Sequence, residues 1–263
     1  MSPKIQLGQV SKAYETPQGP LLAVEDVTLA VEEGEFFALL GPSGCGKSTL
    51  LRLIARLLRP TAGEITIRRS TGATRPQTAL VFQEYALFPW RSVLDNIAFG
   101  LEMRRVPRGA REQVARELVR RMGLQGFEDR YPHQLSGGMR QRVGIARALA
   151  QDPEVLLMDE PFAAVDAQTR TVLQEELLRI WEEDKKTVVY VTHSIEEAIY
   201  LGDRIALMSV RPRRVKEVFE VGLPRPRKLE MRGWPHFSAL ALKIWASLRD
   251  EVERGMRGGE SAP

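Results

Sequence analysis

Cysteine is almost missing: Cys45 stands alone among 263 residues. That excludes an intrachain disulfide and suits a reducing compartment. No run of about 18 apolar residues occurs, so no segment reads as a membrane span. No secretory leader is expected, because Met1-Ser2-Pro3-Lys4 leads straight into a strand-like segment. Internal repeats and low-complexity blocks are also missing, which leaves no repeat architecture to consider. Excess charge of one sign is small, a net +4. A nucleic-acid-binding face would carry a dense basic stripe, so no nucleic-acid partner is expected. Part of the excess is local: residues 211–232 hold eight bases (Arg211, Arg213, Arg214, Lys216, Arg225, Arg227, Lys228, Arg232) against three acids. Such a run is either a solvated surface or a contact for acidic lipid headgroups. The remainder is ordinary for a globular chain, 43% hydrophobic and 27% charged. Its length allows one large α/β domain or two lobes sharing a core.

What is present centres on Gly41-Pro42-Ser43-Gly44-Cys45-Gly46-Lys47-Ser48-Thr49. An apolar run, Phe36 to Leu40, precedes it and reads as a buried strand; Leu50 to Ala55 follows with helical spacing. Strand, glycine loop and helix in that order form a phosphate-binding P-loop. Glycines let backbone N–H groups turn toward an anion, and the helix N-terminus adds unpaired donors and partial positive charge. Lys47 can reach the β- and γ-phosphates, and the Ser48 hydroxyl can ligate Mg²⁺. Cys45 fills a place in the loop where a small side chain suffices; no catalytic thiol is expected.

Strands are expected at Ile5–Val10, Leu21–Val31, 63–67 and 78–82, with a polar loop over 68–77. Tyr14, between the first two strands, either stacks on an adenine base or packs. Gln83, just past a sheet strand, would face a ligand crevice. The aromatic stretch Tyr85 to Trp90 follows, and Ser92 with Asp95 approximates a capping box. From 92 to 150 the pattern is helical (92–105, 110–122, 137–150), broken at Pro107-Arg108-Gly109 and Gly123, with no strand signal. Further strands are expected at 155–158, 187–192, 204–209 and, at an edge, 213–221. Helices are expected at 167–184 and 195–201. Leu223 to Arg227 resists regular structure. An amphipathic helix over 236–253 would put Leu240, Ile244, Trp245 and Leu248 on one face, with a frayed tail from Gly255.

Three further sites carry chemistry. Val155 to Met158 runs into Asp159-Glu160; the first carboxylate suits Mg²⁺, and the second can take a proton from an attacking water. Thr192-His193 ends the next strand, and parallel strands end on the same side, so an imidazole there can meet the γ-phosphate or the water. Gln134 to Arg142 contains Ser136-Gly137-Gly138-Met139 opening a helix, a second anion site. One chain gains little from two such sites for one nucleotide. Two copies arranged head-to-tail resolve this, the P-loop of one facing the Ser-Gly-Gly of the other with ATP between them.

At this point the chain resembles the ATPase subunit of ATP-binding cassette (ABC) transporters, over nearly its whole length. The carriers, in order, are the P-loop 41–49, Gln83, the signature Leu135–Met139, Val155–Glu160, Ala163-Ala164-Val165-Asp166 and His193. A closer resemblance is to importers of the nitrate/sulfonate/taurine type, through Val81-Phe82-Gln83 with Phe88-Pro89-Trp90, Asp95-Asn96, Pro161-Phe162, Asp166 to Arg170, and Leu223 to Arg227 with the Trp245 helix. The resemblance implies an α/β fold: a P-loop NTPase core with mixed sheet, an antiparallel β subdomain and an inserted helical subdomain. It implies an ATPase domain over 1–232, helical about 84–150, and a C-terminal helix and tail over 233–263. It implies that Tyr14 stacks adenine, Gln83 senses Mg²⁺ and the water, Glu160 is the base, His193 holds the γ-phosphate, and Asp166 communicates across the dimer. ATP and Mg²⁺ are the implied cofactors. A second copy, permease subunits and, indirectly, a substrate-binding protein are the implied partners, at the cytoplasmic face of the cell membrane. Ala163 and Val165 depart from the family's usual Gly and Leu, and the loop 68–77 is short. The competing readings are a soluble cassette ATPase without a transport role and a small-molecule kinase, in which Ser136–Gly138 would have no task.

Overall fold

The structure is a computed structural model describing residues 3–17, 19–72, 74–163 and 165–259. The chain divides into two compact units, Met1–Ser70 with Asp184–Pro263, and Thr71–Glu183.

In the first unit, β1 (Ile5–Thr16) pairs antiparallel with both β2 (Gly19–Val31) and a third strand, Ala62–Ile67. The first strand runs past the alternating Ile5–Val10 segment, because its ladder bonds to Gly19–Val24 need backbone groups rather than apolar side chains. A buried strand, β3 (Phe36–Leu40), leads into α1 (Lys47–Ile54), which starts at Lys47 inside the glycine loop. The Ala62–Ile67 strand is β4. The chain returns to this unit at β7 (Thr187–Thr192), α6 (Ile195–Leu201), β8 (Arg204–Met208) and β9 (Val215–Glu220). β3 lies between β7 and β8, parallel to both, and β9 closes the edge antiparallel to β8. Every residue of β3 and β7 is buried, which explains why β3 is wholly apolar and β7 is apolar between its terminal threonines.

The last helix, α7 (Pro235–Gly259), buries Phe237, Leu240, Ile244 and Leu248. Trp245 is not on that face; it is 50% exposed. It follows Ile244 by one residue, a rotation of about 100° away from the i, i+4 stripe. The helix also continues past Gly255 to Gly259; the tail beyond, 260–263, lies outside the described residues.

The second unit pairs β5 (Thr78–Val81) in parallel with β6 (Val155–Asp159). Between them come α2 (Val93–Met103), α3 (Arg108–Arg121) and α4 (Gly137–Ala150), and among the described residues there is no strand from 92 to 150. Ser92 caps α2 by accepting from the Asp95 N–H at 3.1 Å. Pro107-Arg108-Gly109 is not a break of its full length. Pro107 caps α3 and the helix begins at Arg108, since a proline at a helix start has no intrahelical bond to lose. α5 (Ala167–Asp184) completes the unit.

The basic run 211–232 is neither a solvated surface nor a lipid-facing stripe as a whole. Arg225 pairs with Asp203 at 2.8 Å, buried Arg227 donates to the Gly202 carbonyl at 2.9 Å, and Arg232 lies over the Tyr200 ring. Arg213 donates to the Leu22 carbonyl at 2.7 Å, and Lys216 pairs with Glu251. Arg211, Arg214 and Lys228 stay exposed.

Candidate nucleotide site

β3 delivers the chain to Gly41, and the loop turns through Gly44 and Gly46 at φ of +77° and +99°. A Cβ on Gly46 would stand 2.3 Å from the Ala23 carbonyl, so the loop lies against β2 at a place only glycine can occupy. A Cβ on Gly41 would meet Cys45 Sγ and the Met208 carbonyl at under 3 Å. Lys47 is 5% exposed, and its ammonium donates to the Gly41 and Pro42 carbonyls at 2.7 and 2.9 Å, so its charge is held over the loop. Ser43 and Gly44 are exposed; Pro42, Gly46, Ser48 and Thr49 are half-buried, the last two in the first turn of α1. Burial pushes the Cys45 thiol up, against the pull of Lys47, which disfavours the thiolate and fits a packing role.

Two other first-unit residues are placed by strand register. Leu40 pairs with Thr192, so Gly41 and His193 follow the ends of adjacent parallel strands on the same side of the sheet. His193 is exposed there. Tyr14 pairs with Leu21 across β1 and β2, on the ladder whose Ala23 carbonyl abuts Gly46. The Tyr14 ring is half-buried, with the Lys12 ammonium 5.3 Å from its centroid.

In the second unit, Val81 pairs with Met158, so Gln83 and Glu160 each lie two residues past the same register point. Asp159 is buried at the strand end, and Gln83 is exposed. Glu160 takes φ +43°, a conformation uncommon for a residue with a side chain. Ser136 caps α4, its hydroxyl accepting from the Met139 N–H at 3.2 Å, and Gly137 and Gly138 form the first turn. Asp166 caps α5 in the same way, with the Thr169 N–H at 3.0 Å. That amide, with the Thr169 side chain, holds the Asp166 carboxyl below the usual carboxylate range. A Cβ on Gly138 would meet Thr169 Cγ2 at 3.1 Å, so the structure brings the signature helix and the Asp166 turn together. Ala163 is exposed and Val165 buried; Ala164 lies outside the described residues.

Among the described residues no three His, Cys, Asp or Glu gather as a metal cage. A P-loop site needs none, because a loop hydroxyl and phosphate oxygens supply most of the Mg²⁺ shell. Ser48, in the first unit, and Asp159, in the second, each carry an oxygen donor of the kind that Mg²⁺ takes. Sequence reasoning missed Glu197, which accepts from Thr192 beside His193, and Arg147, which donates to the Ala86 carbonyl at 2.7 Å. The Ser-x-x-Glu spacing of Ser194–Glu197 was the available signal for the first; nothing local marks the second.

A glycine loop between a buried parallel strand and a helix, with a serine-capped Gly-Gly helix in the same chain, defines a P-loop nucleotide hydrolase of the cassette kind. Residues 24–163 match the ABC transporter family, and the chain belongs to that family. It is 48% identical over 261 residues to an uncharacterized ABC transporter ATP-binding protein of Methanocaldococcus jannaschii, covering 98% of this chain and 96% of that one. It is 47% identical to an aliphatic sulfonates import ATP-binding protein of Bacillus cereus (85% and 88% covered). It is 46% identical to a nitrate import ATP-binding protein of Synechococcus elongatus (84% and 82% covered). A solved dimer of an ATP-binding cassette in a post-hydrolysis state, bound to ADP and Pi, superposes with a TM-score of 0.75 at 34% identity, covering 84% of this chain and all of that one.

Proposed function

We propose that the chain is the ATP-hydrolysing, nucleotide-binding subunit of an ABC importer for a small anion of the sulfonate or nitrate class. One observation carries the reading: a single chain holds two anion-accepting helix starts, α1 behind the P-loop and α4 behind Ser136. Two copies placed head-to-tail would each offer one start to a shared ATP. The family match and the dimeric cassette bound to ADP and Pi support this arrangement. The sulfonate and nitrate importers among the relatives support the transport role and the substrate class.

In this reading the loop amides from Gly41 to Thr49 and the Lys47 ammonium bind the phosphates, and Tyr14 stacks on adenine. Ser48, Asp159 and Gln83 would hold Mg²⁺, which screens the developing charge on the β- and γ-phosphates. Glu160 takes a proton from water as that water attacks the γ-phosphorus; the bond to the ADP oxygen breaks, and His193 donates to the departing phosphate. Ser136, Gly137 and Gly138 of the second copy contact the γ-phosphate, and Asp166 relays the state of one site to the other. Loss of phosphate removes those contacts and lets the pair open. Permease subunits receive the motion at the membrane's cytoplasmic face, through the stretch Tyr85–Trp90, where Trp90 is 72% exposed. A substrate-binding protein delivers the anion from the other side.

Glu160→Gln tests the reading. It should retain ATP binding, lose turnover by about 10²–10⁴-fold, and accumulate as a dimer in sedimentation with ATP. A variant that hydrolyses ATP at the parental rate removes Glu160 from the mechanism.

A further inference from the structure

The turn that carries His193 is closed by side chains on both sides of it, through one buried carboxylate. Ser194 to Glu197 has capping-box spacing, in which the glutamate ordinarily reaches back to the amide of the capping serine. Here Thr192 stands between them. The Ser194 N–H donates to Thr192 Oγ1 at 3.0 Å, and Thr192 Oγ1 donates to Glu197 Oε2 at 2.6 Å. Tyr190 OH donates to the same Oε2 at 3.3 Å, and the Glu197 N–H returns to Ser194 Oγ at 3.3 Å. Tyr190, Thr192 and Glu197 are all buried, while His193, enclosed by the ring, is exposed.

An ordinary capping box would hold only the start of α6. Threading it through Thr192 pins the residues immediately before and after His193. A buried hydroxyl-to-carboxylate bond at 2.6 Å is of the short, charge-assisted kind, about twice as strong as a neutral one. The carboxylate is therefore placed to fix a backbone on which an exposed side chain must aim.

We propose that Glu197 is a positioning residue for ATP hydrolysis: through Thr192 it fixes the peptides flanking His193 and so sets where the imidazole stands. The proposal rests on the reading of His193 as a contact to the γ-phosphate. An error of about 1 Å in such a group costs on the order of 10²-fold in rate. Binding is governed elsewhere, by the P-loop amides and Lys47, so the loss falls on turnover.

The test is steady-state ATP hydrolysis by the purified full chain with Mg²⁺, at concentrations where the rate per molecule is constant. Glu197→Ala is expected to lower kcat about 10–100-fold with KM for ATP within about twofold. Glu197→Gln keeps an acceptor for the Thr192 hydroxyl and should recover most of the loss. Thr192→Val removes the link at nearly constant shape. It should match Glu197→Ala, and the double variant should lose no more than either single one. If Glu197→Ala fails to fold, Thr192→Val carries the comparison. His193→Ala separates the two levels. Should it lose turnover while Thr192→Val and Glu197→Ala keep the parental kcat, the positioning role is overturned and His193 stands. Should His193→Ala itself keep full turnover, the underlying reading falls. A loss confined to KM, or a Gln variant no better than Ala, marks a merely structural carboxylate and also overturns the proposal.

Discussion

Gly46 and Gly44 are separated by one residue in the same loop, and both adopt left-handed φ, yet their surroundings differ. A Cβ on Gly44 meets nothing within 4 Å, whereas one on Gly46 meets the Ala23 carbonyl at 2.3 Å. For Gly44→Ala the only penalty is backbone strain, about 1 kcal/mol. For Gly46→Ala the same strain is joined by a clash with a strand backbone that cannot swing aside, so the loop must move. We expect Gly44→Ala to weaken ATP binding less than about tenfold, and Gly46→Ala to abolish measurable binding in equilibrium titration. Equal affinities in the two variants would mean that the contact with β2 does not shape the loop. Glu160 presents the converse case, a side chain kept at positive φ although glycine would be less strained there. The strain is tolerable because β6 is buried on one side and Pro161 and Phe162 are buried on the other.

At the scale of elements, the aromatic turn after Gln83 is held by α2 and α4. Asn96 is fully buried on α2. Its Oδ1 accepts from the Phe88 N–H at 2.9 Å, and its Nδ2 faces the Phe88, Arg91 and Ser92 carbonyls at 3.0–3.2 Å. From α4, Arg147 donates to the Ala86 carbonyl and lies over the Phe88 ring. Asn96→Leu keeps the volume but strands the Phe88 N–H and removes the donor to the Arg91 carbonyl, while the Phe88 and Ser92 carbonyls keep the Arg91 and Asn96 amides. The cost is about 2–4 kcal/mol at roughly 1–3 per buried group left unpaired. The Phe88 amide should then lose hydrogen-exchange protection. Unchanged protection would show that the turn is held without Asn96. Neither clamp could be read from the sequence, because asparagine and arginine inside a helix carry no local sign of a partner in another segment. Where the signal is local, it sufficed: α5 and β7 have the bounds that apolar periodicity and their flanking residues predict. The places of the candidate site residues, at strand ends and helix starts, were legible for the same reason. Glycine, serine, aspartate and glutamate at strand ends and helix starts are dictated by backbone geometry, which depends on short spacings. Trp245 was misplaced because an aromatic in an apolar helix fits two adjacent stripes, and only the packed partner decides between them.

For the molecule's charge as a whole, the small excess of bases conceals ion pairs that anchor the last helix to the rest of the first unit. Glu251 on α7 is 0% exposed and accepts from the Val210 N–H at 3.0 Å, Lys216 at 2.9 Å and Arg254 at 3.2 Å. Burial pushes its carboxyl up, but Lys216, the Val210 amide and Arg254 together outweigh burial and hold it below the usual carboxylate range. A carboxylate lowered in the fold stabilises above its unfolded value, about 4.3, and loses that contribution as pH falls through the folded value. Glu251→Gln keeps an acceptor for the Val210 amide but removes the charge. At pH 7 the loss should be about 1–3 kcal/mol, as for a hydrogen bond to a charged group, which in a chain of this size lowers Tm by about 2–10 °C. Below about 4.3 the unfolded chain takes up a proton at this position that the fold resists, so the gap in Tm should narrow as pH falls. Thermal unfolding of both proteins from pH 7 to pH 3 measures that gap directly. A gap that stays constant or widens on acidification would mean that the charge on Glu251 does not hold α7 in place.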